Sequence, residues 1–253
     1  MARSVVLITG ASGYIGRALV DRLSDQYRII GLDRSVAKDV PGLEASYAID
    51  LADEASVVDA LTNVRAAHSN TIAACIHLAA YFDITGEPNP LYTNVNVEGS
   101  RRLITALQDF DVEQFIYASS MLVHEPKPLP GVRIDESSPL GPTWPYPQSK
   151  ADAEQVLREN RGDIPVVFLR FAGVYDDEGH SAFLAEQIAG VYEHRVSAHL
   201  YPGMLCAAQS ALHLDDLTKA VEQTIAHRTD LEGEMPILVG EPETLGYAEI
   251  QDI

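Results

Sequence analysis

Tyr146 and Lys150 stand four positions apart in Tyr146-Pro147-Gln148-Ser149-Lys150, so on a helix both side chains share one face. A phenol with a pKa of about 10 is a poor base at neutral pH. A neighbouring ammonium stabilises the phenolate and turns it into a usable acid–base group. Pro147 disfavours a helical Tyr146, and proline is tolerated only in a helix's first turn. The helix is therefore expected to begin here, its positive dipole end beside the pair. Ser120, 26 residues upstream at the end of an apolar run, adds a hydroxyl able to donate to the same substrate oxygen. Together the three predict proton transfer to and from an alcohol or a ketone. The competing reading is an ordinary surface Tyr/Lys pair.

A second constellation supplies the partner for that chemistry. Gly10-Ala11-Ser12-Gly13-Tyr14-Ile15-Gly16 follows an apolar run and opens a helical pattern. The first glycine permits a tight turn, the second lets a pyrophosphate approach the backbone, and the third lets helix and strand pack closely. The next apolar run ends in Gly31-Leu32-Asp33-Arg34, which places Asp33 to accept hydrogen bonds from an adenosine ribose. A 2′-phosphate would meet the charge of Asp33, so NAD is expected over NADP. Arg34 leaves NADP open, because an adjacent arginine can pair with that phosphate. The nicotinamide then exchanges hydride with the substrate carbon while Tyr146 handles the proton.

These residues need a frame. Strands are predicted over 4–9, 28–32, 45–49, 73–78, 114–118 and 166–169. Helices are predicted over 15–23, 54–66, 91–110 and 148–159, from the spacing of apolar residues. The alternation implies an α/β fold, a Rossmann-type doubly wound parallel sheet with a small C-terminal substrate lobe. Residues 1–170 read as the NAD-binding domain carrying the catalytic groups, and 171–253 as a mixed segment that returns to the core and forms the lobe. Ligands of such sheets bind beyond the carboxyl ends of the strands, where the informative residues cluster. Seven prolines mark 124–147 as a loop. Residues 249–253 look like the start of an amphipathic helix, from which we expect a longer natural chain or a trimmed one.

Composition bounds the partners. With 18 Lys+Arg against 37 Asp+Glu, the 253-residue chain carries a formal charge of −19, which argues against nucleic acid and anionic membranes. Hydrophobic residues make up 46%, enough for a proper core. Two cysteines, Cys75 and Cys206, form no disulfide framework and point to a reduced compartment. The first apolar run is too short for a signal segment, and none approaches the roughly 18 residues that cross a bilayer. A soluble, cytoplasmic protein is expected. His194 and His199 lack accompanying ligands, so no metal is expected.

Seven motifs in order resemble the extended short-chain dehydrogenase/reductase family, of the NAD-dependent epimerase/dehydratase type. They are the glycine turn with Asp33; Asp50-Leu51; His77-Leu78-Ala79-Ala80; Asn96-Val97-Glu98-Gly99-Ser100; Ser119-Ser120-Met121-Leu122-Val123; the Tyr146/Lys150 run; and Leu169 to Tyr175 with His213-Leu214-Asp215-Asp216-Leu217. The resemblance implies cofactor contacts from Gly10, Ser12, Gly13, Tyr14, Ile15, Gly16, Asp33 and Arg34. Further along it implies contacts from Asp50, Leu51, Leu78, Ala79, Ala80, Asn96, Ser119, Tyr146, Lys150, Phe171 and Val174. It makes Ser120, Tyr146 and Lys150 catalytic, with Lys150 also holding the nicotinamide ribose. Asn96 supports the site or is simply a satisfied polar residue inside a helix. Tyr81, Ser120, His124 and Gly173 are candidate substrate contacts. The family also implies a homodimer through the helices at 91–110 and 148–159.

Departures bear on the small-molecule substrate. His124-Glu125 replaces the family's Tyr-Gly, and His124 either touches substrate or is solvated. Gly173 stands where nucleotide-sugar enzymes commonly carry asparagine, and Gln209 where they carry a basic residue. Asp176-Asp177 adds negative charge. A diphosphate needs cationic donors, of which Arg195 is the nearest candidate. A neutral or less charged alcohol or ketone, such as a sterol-like or other small metabolite, is expected as substrate, with nucleotide-sugar 4-epimerisation or dehydration as the alternative. A non-catalytic NAD sensor, or one module of a longer multifunctional chain, are the readings of other classes.

Overall fold

A computed structural model describes residues 3–83, 85–126, 133–181, 189, 192–193 and 210–243. Its centre is a seven-stranded parallel sheet of β1 (Val5–Thr9), β2 (Arg28–Asp33), β3 (Leu43–Ala48), β5 (Ala74–His77), β7 (Phe115–Ser120), β8 (Val166–Phe171) and β11 (Glu234–Val239). The strand order is β11-β8-β7-β5-β1-β2-β3. Two parallel pairs stand apart, β4 (Thr71–Ile72) with β6 (Asp111–Val112) and β9 (Gly173–Tyr175) with β10 (Ala211–His213).

The unbroken apolar run of β1 explains why the sheet is covered twice. Val5 and Leu7 enter one buried cluster, Val6 and Ile8 the other, as the two-residue period of a strand requires. Helices α2 (Glu54–Ala67), α3 (Glu98–Leu107) and α4 (Pro145–Asn160) contribute Val57, Leu103 and Leu157 to the first cluster. Helices α1 (Tyr14–Leu23) and α5 (Leu214–Ala226) contribute Leu19 and Val221 to the second.

The predicted fold class holds, with local changes. The single helix expected over 91–110 begins as a π-helix over Tyr92–Val97 before α3. Beyond Arg170, where the alternation faded in the sequence, the chain re-enters the core. β11 pairs in parallel with β8, and Arg22 of α1 donates to Thr218 of α5 at 2.7 Å. Among the described residues no helix is long and apolar enough to cross a membrane.

Candidate active site

Strand order reverses between β1 and β5, and the glycine turn sits there. Gly10 has φ 75°, a conformation in which a side chain is strained, and a Cβ on it would lie 3.2 Å from Ala79 N. At Gly16 a Cβ would lie 2.1 Å from Gly10 O, so only glycine lets α1 start this close to the turn. Arg17 N to Gly13 O is the first α-helical bond. Gly13 caps with no side chain, which leaves the amides of Tyr14, Ile15 and Gly16 as donors at a positive dipole end. Asp33, at the tip of β2, ties the turn down. Its Oδ1 accepts from Ser12 N at 3.1 Å and Ser12 Oγ at 2.8 Å, while the buried Oδ2 has no partner among the described residues. A buried carboxylate oxygen waiting for a donor, beside uncapped amides, fits the ribose and pyrophosphate of a dinucleotide. Arg34 is exposed.

α4 begins at Pro145 after Trp144, so Pro145, Tyr146 and Pro147 occupy its first turn, where missing amides cost nothing. One turn on, Lys150 is 3% exposed and its Nζ donates to Ala118 O of β7 at 2.8 Å. That Nζ lies 5.7 Å from the Tyr146 ring centroid and 4.9 Å from that of Tyr117. Ser120 ends the same strand, and its Oγ accepts from Leu122 N at 3.2 Å, leaving its proton to donate. Tyr146 is half-buried among Phe82 (4.7 Å), Trp144 (5.6 Å) and Tyr92 (6.5 Å between ring centroids), and its hydroxyl makes no hydrogen bond among the described residues.

The expected lowering of the phenol by the lysine together with a positive nicotinamide ring is not reached by this chain's own groups alone. Burial, with Tyr92 beside it, pushes Tyr146 well above the usual phenol range. Burial also pulls Lys150 down to about 7, against the opposing pull of Glu154. In this protein's own field desolvation of the phenolate, with Tyr92 adding to it, favours the protonated phenol.

Asn96 is 1% exposed in the π-helical turn, and all its polar atoms are used. Oδ1 accepts from Tyr81 N at 2.7 Å, and Nδ2 donates to Tyr81 O at 3.0 Å and Ser149 Oγ at 2.9 Å. It therefore joins the segment after β5 to α4. Below it, Ala79 N donates to Thr9 Oγ1, Thr9 to His77 Nδ1 at 2.7 Å, and His77 Nε2 to Ser100 Oγ at 3.0 Å. Ser100 donates on to Asn96 O, which fixes every proton in the line and requires a neutral imidazole. Burial, aided by the Lys150 charge, holds His77 at about 3.

Other anticipated residues have different surroundings. His124 is 2% exposed rather than solvated; Nδ1 donates to Ser138 O and Nε2 accepts from Arg170 Nη1, both at 3.0 Å. Ser119 spends its hydroxyl on Glu154. Leu51 is buried and packs where a Gly99 side chain would go, while exposed Asp50 accepts from Ala52 N. The Tyr81 hydroxyl is engaged with Asn89 and Asp83. Leu78, Ala79 and Ala80 line the exit of β5, half-buried. Phe171 is buried, Val174 pairs with Leu212, and Gly173 is exposed at the start of β9. Cys206, Gln209, Arg195, His194, His199 and 249–253 lie outside the described residues. Three features escaped the sequence reading: the aromatic surround of Tyr146, the Glu154–Arg170 pair, and the tilted ring contact of Tyr14 with His180 at 5.5 Å. Only Glu154 left a signal, a carboxylate four residues beyond Lys150.

A doubly wound sheet with a glycine turn at its switch point and a Tyr–Lys helix beside it defines a dinucleotide-binding protein of the short-chain dehydrogenase type. The NAD dependent epimerase/dehydratase family model matches residues 6–240, and the chain belongs to that family. It is 30% identical over 191 residues to N-acetyl-alpha-D-glucosaminyl-diphospho-ditrans,octacis-undecaprenol 4-epimerase of Escherichia coli O157:H7, covering 73% of this chain and 54% of that one. It is 32% identical over 192 residues to mouse (Mus musculus) 3 beta-hydroxysteroid dehydrogenase type 7, covering 70% and 51%. The chain thus spans about half the length of these relatives. Among solved structures, MoeE5 in complex with UDP-glucose and NAD superposes with a TM-score of 0.78 at 26% identity, covering 98% of this chain and 79% of that one.

Proposed function

We propose that this protein is an NAD-dependent oxidoreductase or epimerase acting at an alcohol or ketone carbon. The observation that carries the reading is Lys150, gripping the Ala118 carbonyl two residues before Ser120 while sharing a helix face with Tyr146. Gly10, Gly13, Gly16 and Asp33 would hold the dinucleotide, with the amides of Tyr14 and Ile15 toward its phosphates and the free Asp33 oxygen toward its ribose. When bound, the nicotinamide supplies the hydride acceptor or donor. Ser120 donates to the substrate oxygen and orients it. Tyr146, protonated in this setting, delivers a proton to a carbonyl oxygen; the reverse transfer calls for more positive charge beside the phenol, to which the Lys150 ammonium contributes.

The substrate is an uncharged alcohol or ketone in this reading. Gly173 in place of asparagine and the carboxylates of Asp176, Asp177 and Glu178 around β9 favour it, as does the steroid dehydrogenase relative. Nucleotide-sugar 4-epimerisation or dehydration is the second reading, favoured by the names of the bacterial epimerase and of the UDP-glucose complex. The reading extends to a substrate lobe within 171–253 and to a cytoplasmic homodimer through α3 and α4, supported by the family resemblance.

The test is turnover across a panel of sterols, small alcohols and nucleotide-sugars, read as NADH formation for net oxidation and as product sugar for redox-neutral epimerisation or dehydration, with Tyr146→Phe alongside. A loss of at least about 100-fold in the variant supports the reading, and an unchanged rate removes it. Strong thermal stabilisation by UDP would favour the second substrate class.

A further inference from the structure

Glu154 is fully buried on α4, eight residues beyond Tyr146 and four beyond Lys150, so the three share one helix face. Its Oε1 accepts from Ser119 Oγ at 2.6 Å and Arg170 Nε at 3.0 Å, and its Oε2 from Arg170 Nη2 at 2.7 Å and Arg158 Nη2 at 3.0 Å. One carboxylate thus joins the last turns of α4 to β7 and β8. Arg170 carries the line further, to His124 and through it to Ser138. The consequence for β7 is specific. Lys150 holds residue 118 and Glu154 holds residue 119, immediately before Ser120.

Burying so many charges is seldom the best way to stabilise a core, since apolar groups of the same volume often do as well. What a bidentate arginine–carboxylate pair adds is direction. We propose that Glu154 is a positioning residue, clamping the strand end that carries Ser120 to the helix that carries Tyr146 and Lys150, and backing the Lys150 ammonium with its negative charge. The role rests on the function proposed above.

The electrostatics agree with the geometry. Burial pushes the Glu154 carboxyl up, but hydrogen bonds from Arg170 and Ser119 and the charge of Arg158 more than reverse this. Glu154 in turn raises Lys150 against desolvation. The remaining groups around Lys150 are His77 of β5, Tyr117 of β7 and Tyr146 of α4; around Glu154 they are Arg170, Arg158, His124 and Tyr117.

Two variants test the two halves of the role. The Lys150 ammonium is titrated by side-chain NMR in wild type, Glu154→Gln and Glu154→Asp, a readout that needs neither cofactor nor substrate. Glu154→Gln is expected to lower the midpoint by about one unit or more, with Glu154→Asp recovering it. A folded Glu154→Gln protein with an unmoved midpoint overturns the electrostatic half. Ser119→Ala removes one hydrogen bond from a neutral hydroxyl to the Glu154 carboxylate, leaves both arginines on Glu154, and is expected to fold. It should lower kcat by about fivefold or more with little change in KM for cofactor, and raise amide exchange over residues 118–122 by about tenfold. Unchanged kcat and unchanged exchange overturn the clamp, and this arm decides if Glu154→Gln does not fold. If no substrate turns over at all, the functional reading fails while titration and exchange still report on Glu154.

Discussion

Lys150 Nζ donates to the Ala118 carbonyl at 2.8 Å, across 32 residues of sequence. That bond sets the depth of the first turns of α4 against β7, and with it the distance from Tyr146 to the strand end. It also keeps an ammonium in a site where burial draws its pKa to about 7. In the proposed reaction, activity and stability therefore pull in opposite directions at this residue.

Lys150→Met should show the conflict. Methionine fills the same volume without a charge to desolvate, so stability at pH 6 is expected to rise by about 1 kcal/mol, net of the lost hydrogen bond. Turnover should fall by about 100-fold or more. Urea unfolding and steady-state kinetics on one preparation check both, and a destabilised Lys150→Met protein would count against the burial cost.

Gly16→Ala forces a methyl group to within 2.1 Å of Gly10 O and 2.8 Å of two Ala11 backbone atoms. Backbone cannot yield as a side chain can. We expect a loss of about 1–3 kcal/mol in unfolding free energy and the disappearance of NAD-induced thermal stabilisation.

Asp33→Asn keeps the shape of the β2 tip and removes its charge. The tie to Ser12 weakens, and the free oxygen loses its pull on ribose hydroxyls. NAD affinity should drop by about tenfold, with NADP discriminated against less strongly than in wild type. Titration calorimetry with both dinucleotides measures the ratio, and an unaltered NAD/NADP ratio would remove Asp33 as the selecting group.

His77 makes stability depend on acid. Its pKa in the fold is about 3, below the ordinary histidine value of 6.5, so the unfolded chain binds a proton that the folded one refuses. Stability then falls as pH drops from 6.5 towards 3 and levels off below, by roughly 3–5 kcal/mol from this group. Glu154 and other depressed carboxylates contribute within part of that range, so the comparison is with His77→Gln, whose unfolding free energy should lose this part of the slope.

Much of the site was legible because its signals are local. A glycine turn, a strand-end serine and a Tyr/Lys pair at helical spacing each need only a few consecutive residues to declare their geometry. Asn96 was ambiguous for the opposite reason: a polar residue inside a helical pattern reads the same whether it faces Ser149 or water. His124 misled in the same way, since a proline-rich loop suggests solvent, whereas Arg170 and Ser138 bury both ring nitrogens.

By itself, the sequence determined the alternation of strands and helices, the doubly wound class and the candidate groups for moving a proton, because periodicity and backbone sterics act over a few residues. Tertiary structure alone decided that Lys150 and Glu154 grip successive residues of β7 and that burial raises the Tyr146 phenol's pKa. Those outcomes depend on strand order and on how much water packing excludes, and neither is written in the spacing of any one segment.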